Sequence, residues 1–196
     1  MPNWCSNYLK VMGNCSDLKQ FISDVTTEKS KLDFNKLLPV PKELLQHSSP
    51  NRNEKLCNVF VEKYGASDWY NWCVNNWGTK WSPVDTSDWK IHDDTWADIA
   101  FDTAWSPPIQ FFKKISSKFP TLEFILSYEE TGMGFAGDCT IKNGDVNDYC
   151  YDCEPAEECE YLDESIDTPL VTFVVEEKKI ESVSEPSTYL YKRCGD

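Results

Sequence analysis

Residues 97–137, ADIAFDTAWSPPIQFFKKISSKFPTLEFILSYEETGMGFAG, read as strand, helix, strand, strand, and a chain holding such a unit must build a sheet with a helix packed on one face. Ala97, Ile99, Phe101 and Thr103 alternate with Asp98 and Asp102, the period-two pattern of a strand with one buried side. Ser106 before Pro107 predicts an N-cap followed by a proline at the first helical position. Phe111, Ile115 and Phe119 then recur every four residues, with Lys113, Lys114 and Lys118 on another face, and Pro120 stops the run. Leu122, Phe124, Leu126 and Tyr128 alternate as a second strand, and 129–134 turn the chain into a third at Phe135 to Ile141.

Upstream, Tyr8 to Gly13 predicts a strand, and Leu18, Phe21, Ile22 and Val25 form the apolar stripe of a helix capped by Asn14 or Ser16. Leu32 to Val40 is expected to return as a strand. Two successive strand–helix–strand units predict an α+β fold, a ferredoxin-like sandwich of antiparallel strands with two helices on one face. That domain is expected over 1–144, with a helical insertion at about 42–96 between its halves and an acidic extension over 145–196 carrying an edge strand at 169–175.

The expected insertion holds six of the eight tryptophans. Trp69, Trp72 and Cys73 share one face of a short helix that Gly78 ends. Indole carries a large apolar area with one N–H that wants a partner, so such a cluster forms core, a stacking surface or an interface. Core is the favoured reading; the ligand-binding alternative has Trp77, Trp81 or Trp105 stacking a base and Lys80 meeting a phosphate.

Net charge is −14, and it is unevenly spread: residues 1–144 hold 15 Lys and Arg against 18 Asp and Glu, a net of −3, while 145–196 hold 4 against 15, a net of −11. Between Asp145 and Asp167 lie ten acidic residues and no Lys or Arg, a density expected to oppose compact structure. Such a chain lacks the clustered cations that grip nucleic acid. The start, MPNWCSNYLKV, has neither a basic segment nor an apolar run, so a cytoplasmic protein is expected, and the nine cysteines are expected to be reduced thiols.

The words MPNWCSN, NWGTKW and FDTAWSPP, with the later FP-x-L-x-F-x-L-x-Y-x-E and GFAG, resemble the YubB-type ferredoxin-like family of bacteriophage and conjugative-plasmid proteins. The likeness spans discontinuous blocks from Met1 to about Gly137. It implies the same ferredoxin-like fold and an origin on a mobile genetic element, and it implies no catalytic residues.

Candidate chemistry is sparse. Gly132, Gly134 and Gly137 fit G-x-G-x-x-G, but a strand-like FAGDCTI follows where a dinucleotide site needs a helix N-terminus. Cys139, Cys150, Cys153 and Cys159 offer one C-x2-C pair with flanking thiols, a weak zinc pattern without a second pair, so no cofactor is expected. His47 and His92 sit beside no convincing nucleophile, and Asp93, Asp94 and Asp98 read as solvated charges. An enzyme is therefore not the expectation. The leading one is a phage or plasmid accessory protein that inhibits a host protein, an anti-defence factor whose carboxylates mimic nucleic acid, with Asp152, Glu154, Glu157, Glu158, Glu160, Asp163 and Glu164 facing the partner. A nucleotide-sequestering pocket is the alternative.

Overall fold

A computed structural model describes residues Pro2–Cys153. The central strand β1 (Trp4–Met12) is followed by α1 (Cys15–Val25), which starts where the Asn14 side chain accepts the Ser16 backbone N–H at 2.8 Å. Next come two one-turn helices, α2 (Phe34–Leu37) and α3 (Lys42–Leu45), then α4 (Glu54–Tyr64) and α5 (Trp69–Trp77). The chain continues through β2 (Lys90–His92), β3 (Trp96–Ala104), α6 (Ile109–Ser116), β4 (Glu123–Glu130), β5 (Phe135–Lys142) and β6 (Asp145–Asp152).

These strands form one sheet in the order β2-β3-β1-β4-β5-β6, every neighbouring pair antiparallel. The first four positions are the ferredoxin-like arrangement. β3, α6 and β4 make a crossover whose two strands flank β1, and β1, α1 and β2 make another whose strands flank β3. Hairpins then add β5 and β6 beyond β4.

The strand expected at 32–40 is not formed. Asp33 accepts the Asn35 N–H at 3.0 Å and starts α2, and Pro41 precedes α3, so the apolar residues of this stretch are buried by helical turns. Phe34 stacks on Phe111 with ring centroids 3.9 Å apart. The sheet position goes instead to the three-residue β2, and the added helical segment lies between α1 and β2, inside the first strand–helix–strand unit. The helix expected from Pro107 also starts later, at Ile109, because the Ser106 hydroxyl is drawn away to the Gly78 carbonyl at 2.6 Å.

The core fills the space between one sheet face and the helices. Leu9, Val11, Ile99, Phe101, Phe124 and Leu126 from the strands meet Leu18, Phe21, Phe111, Phe112 and Ile115, all buried. Each such side chain contributes about 2–3 kcal/mol on leaving water. Asn7 is buried on the same face and stays satisfied, its Nδ2 donating to the Cys5 and Phe101 carbonyls and to Thr103 Oγ1 at 2.7, 3.3 and 2.9 Å. No helix among the described residues is long and apolar enough to cross a membrane.

Candidate functional site

Two places gather the residue types that could bind something: the helical segment beside α5, and the outer edge of the sheet at β6.

Beside α5, Asp68 caps the helix and Gly78, at φ 84°, ends it in the left-handed conformation that favours glycine. This stop releases Thr79, Lys80, Trp81 and Ser82 into a turn that folds back toward α2. Between them opens a cavity of about 350 Å³ lined by Asn35, Val40, Leu45, Trp69, Cys73, Trp77, Lys80, Trp81 and Ser82. Lys80 Nζ lies 4.2 Å from the Trp81 ring centroid, and the Trp4 ring stands 6.5 Å from that of Trp81. Burial pushes the Cys73 thiol up to about 12, so the cavity floor is neutral at physiological pH.

The structure separates the four residues considered for ligand stacking. Trp77, Lys80 and Trp81 share the cavity, but Trp77 is 2% exposed and its indole N–H donates to the Leu38 carbonyl at 3.0 Å, so it is core. Trp105 is not among the lining residues; it is partly exposed at φ 73°, with its backbone N–H on the Asn3 carbonyl. Trp69 and Cys73 join the cavity through the helical face already visible in sequence. Asn35, Leu45 and Ser82 reach it only through long-range packing, and no local pattern announces them.

At the sheet edge, the segment expected to resist compact structure forms β6 from Asp145 to Asp152 and carries the sheet beyond the expected boundary at 144. Hairpin pairing with β5 accounts for this: Cys139 faces Asp148, Gly137 faces Cys150, and the Tyr128 hydroxyl reaches across to donate to Asp148 Oδ1 at 2.8 Å. Burial, together with that bond and the nearby Cys150, holds the Tyr128 phenol far above its ordinary range. All eight β6 residues are exposed. Register places Tyr149 beside Asp138 and Tyr151 beside Ala136 on the sheet face opposite the helices, the two tyrosine rings 5.8 Å apart. That face also carries Asp102, Glu129 and Asp138.

Of the partner-facing carboxylates expected from sequence, Asp152 is the last residue of β6 and exposed. Glu154, Glu157, Glu158, Glu160, Asp163 and Glu164 lie outside the described residues, as does the strand expected at 169–175. Cys139 is buried, Cys150 exposed on β6 and Cys153 half-buried just after it, while Cys159 is outside the described residues. Among the described residues no group of three or more His, Cys, Asp or Glu side chains could hold a metal ion. Gly132 and Gly134 sit in the β4–β5 turn and Gly137 in β5, with the turn held by Glu130 accepting the Gly132 and Met133 N–H groups at 3.0 and 2.6 Å. His92 stacks on Trp96 at 3.7 Å and faces Asp98, to which Tyr8 also donates.

No curated protein matches the chain. A solved structure similar to it is that of Api92 from Yersinia pseudotuberculosis, at 12% identity and a TM-score of 0.49, over 76% of this chain and 98% of that one. Residues 76–172 match the model of the family described as the ferredoxin-like domain in Api92-like protein. With the strand order of the sheet, that match makes this a chain that contains a ferredoxin-like domain.

Proposed function

We propose that the protein is a non-enzymatic accessory protein of a phage or plasmid, acting in the cytoplasm of the bacterial host by binding and inhibiting a host protein that has a basic, nucleic-acid-binding surface. The observation that carries this reading is β6. It is a strand exposed along its whole length, it sets Tyr149 and Tyr151 on the sheet face that carries Asp138, Glu129 and Asp145, with Asp148 and Asp152 on the other face, and it leads directly into the most acidic part of the chain. Carboxylates set on a rigid sheet steer a basic partner and occupy the groove it keeps for phosphates. Tyrosine rings beside them suit arginine, whose guanidinium stacks on aromatic faces while pairing with carboxylate. The resemblance to YubB-type proteins supports the mobile-element origin.

The test compares the whole chain with a version carrying Asp152→Asn, Asp163→Asn and Gln at 154, 157, 158, 160 and 164. Each is used to capture proteins from host lysate, and captured proteins are assayed for DNA binding with and without the chain. A DNA-binding protein held only by the acidic form, released by salt and blocked from DNA, is the expected result. Equal capture by the neutralised form overturns the reading.

A further inference from the structure

We infer that the cavity between α5, the 79–82 turn and α2 binds a flat aromatic ring that carries an anionic group, with Lys80 meeting the anion and Trp69 and Trp81 holding the ring. This site is separate from the β6 edge and stands or falls independently of it.

The size is right for a small ligand: about 350 Å³ lies within the range of small-molecule pockets. So is the lining. Three indoles and two aliphatic side chains make the walls apolar, with a few polar atoms at one side. Lys80 is the one ionised residue among the described residues of the wall. A cation held against an indole face is a poor match for a neutral apolar guest and a good one for an anion.

Nearby polar groups are largely accounted for. The Trp77 N–H is spent on Leu38, so the deep indole offers only its surface. The Ser82 hydroxyl accepts the Phe34 N–H at 3.0 Å and donates to Asp33 Oδ1 at 3.1 Å. The Asp33 carboxylate is engaged in turn by Ser82 and by the Asn35 N–H and side chain, so it serves the start of α2 and does not line the cavity. Lys80 therefore sets the charge of the pocket.

Trp81 is the natural lid for a ring. It is 37% exposed, large enough to stack on a flat ring, and braced from outside by Trp4. Stacking on an aromatic face holds a flat ring without base-specific hydrogen bonds.

The anion can be a phosphate, as in a nucleotide, or a carboxylate, as in an aromatic acid. Isothermal titration with AMP and GMP on one side and indole-3-acetate on the other separates the two, with neutral adenosine as control. Saturable binding of at least one anion and weaker binding of adenosine are expected. Lys80→Met should weaken the bound anion about tenfold or more. Trp81→Ala should do the same, while Trp105→Ala, outside the cavity, leaves affinity unchanged. Lys80 and Trp81 are both partly exposed, and unchanged thermal melting confirms that their variants fold. Absence of saturable binding by all three anions up to about 1 mM overturns the inference, as does binding that survives both Lys80→Met and Trp81→Ala.

Discussion

Single residues show how buried polar chemistry is balanced here. Asp68 is 2% exposed, and burial pushes its carboxyl up. The Asn71 backbone N–H, the Ser49 and Ser67 hydroxyls and the Asn71 side-chain amide outweigh that and hold it below the ordinary aspartate range. A carboxyl depressed on folding stabilises the protein above its unfolded pKa, and that contribution is lost as pH falls through the folded value. Asp68→Asn should therefore melt below the wild type at neutral pH, with the gap closing below about pH 4; a gap independent of pH would contradict this. Asp68→Ala also removes the helix cap and should cost about 2 kcal/mol in urea unfolding. Gly137 is chosen for space, not for backbone freedom. A Cβ there would collide with the Tyr128 ring and come within 2.7 Å of the Tyr149 carbonyl. Gly137→Ala should cost about 1–3 kcal/mol, and Tyr128→Leu in the same chain should recover part of it.

At the scale of elements, periodicity served where an element is amphipathic and failed where burial comes from elsewhere. The stripes of α1 and α6 and the alternation in β3 and β4 were legible because each presents one face to a single shared core. Leu32 to Val40, expected as a strand, forms a capped turn instead, because Phe34 finds its partners in Phe111, Phe112 and Trp77. β6 was hidden by its acidity: the cost of like charges is met by a ladder to β5, which no local window contains. Helix α5 ties the added segment down through Trp77. Trp77→Phe strands the Leu38 carbonyl and leaves part of the indole volume empty, and should cost about 2–3 kcal/mol by urea denaturation.

For the whole molecule, cysteine reactivity reads out the fold. Burial pushes Cys5, Cys73 and Cys139 up to about 12, which leaves them as neutral, covered thiols, whereas Cys150 is exposed. Alkylation at pH 8 followed by peptide mapping should label Cys150 in the native protein and the other three only after unfolding. Labelling of Cys73 under native conditions would show that the segment around α5 opens on its own.

What the sequence by itself determined was the kind of element at each strongly periodic stretch, the α+β class and the gathering of acid toward the far end of the chain. These follow from local spacing and composition, which the chain carries wherever it folds. Only the tertiary structure decided that a three-residue strand completes the ferredoxin-like sheet, that Trp77 and Trp81 share a cavity while Trp105 lies outside it, and that an acidic segment becomes a sixth strand. Each depends on contacts between residues far apart in sequence, such as Trp77 with Leu38 or Tyr128 with Asp148, and that pairing is an energy of the folded whole that no stretch holds alone.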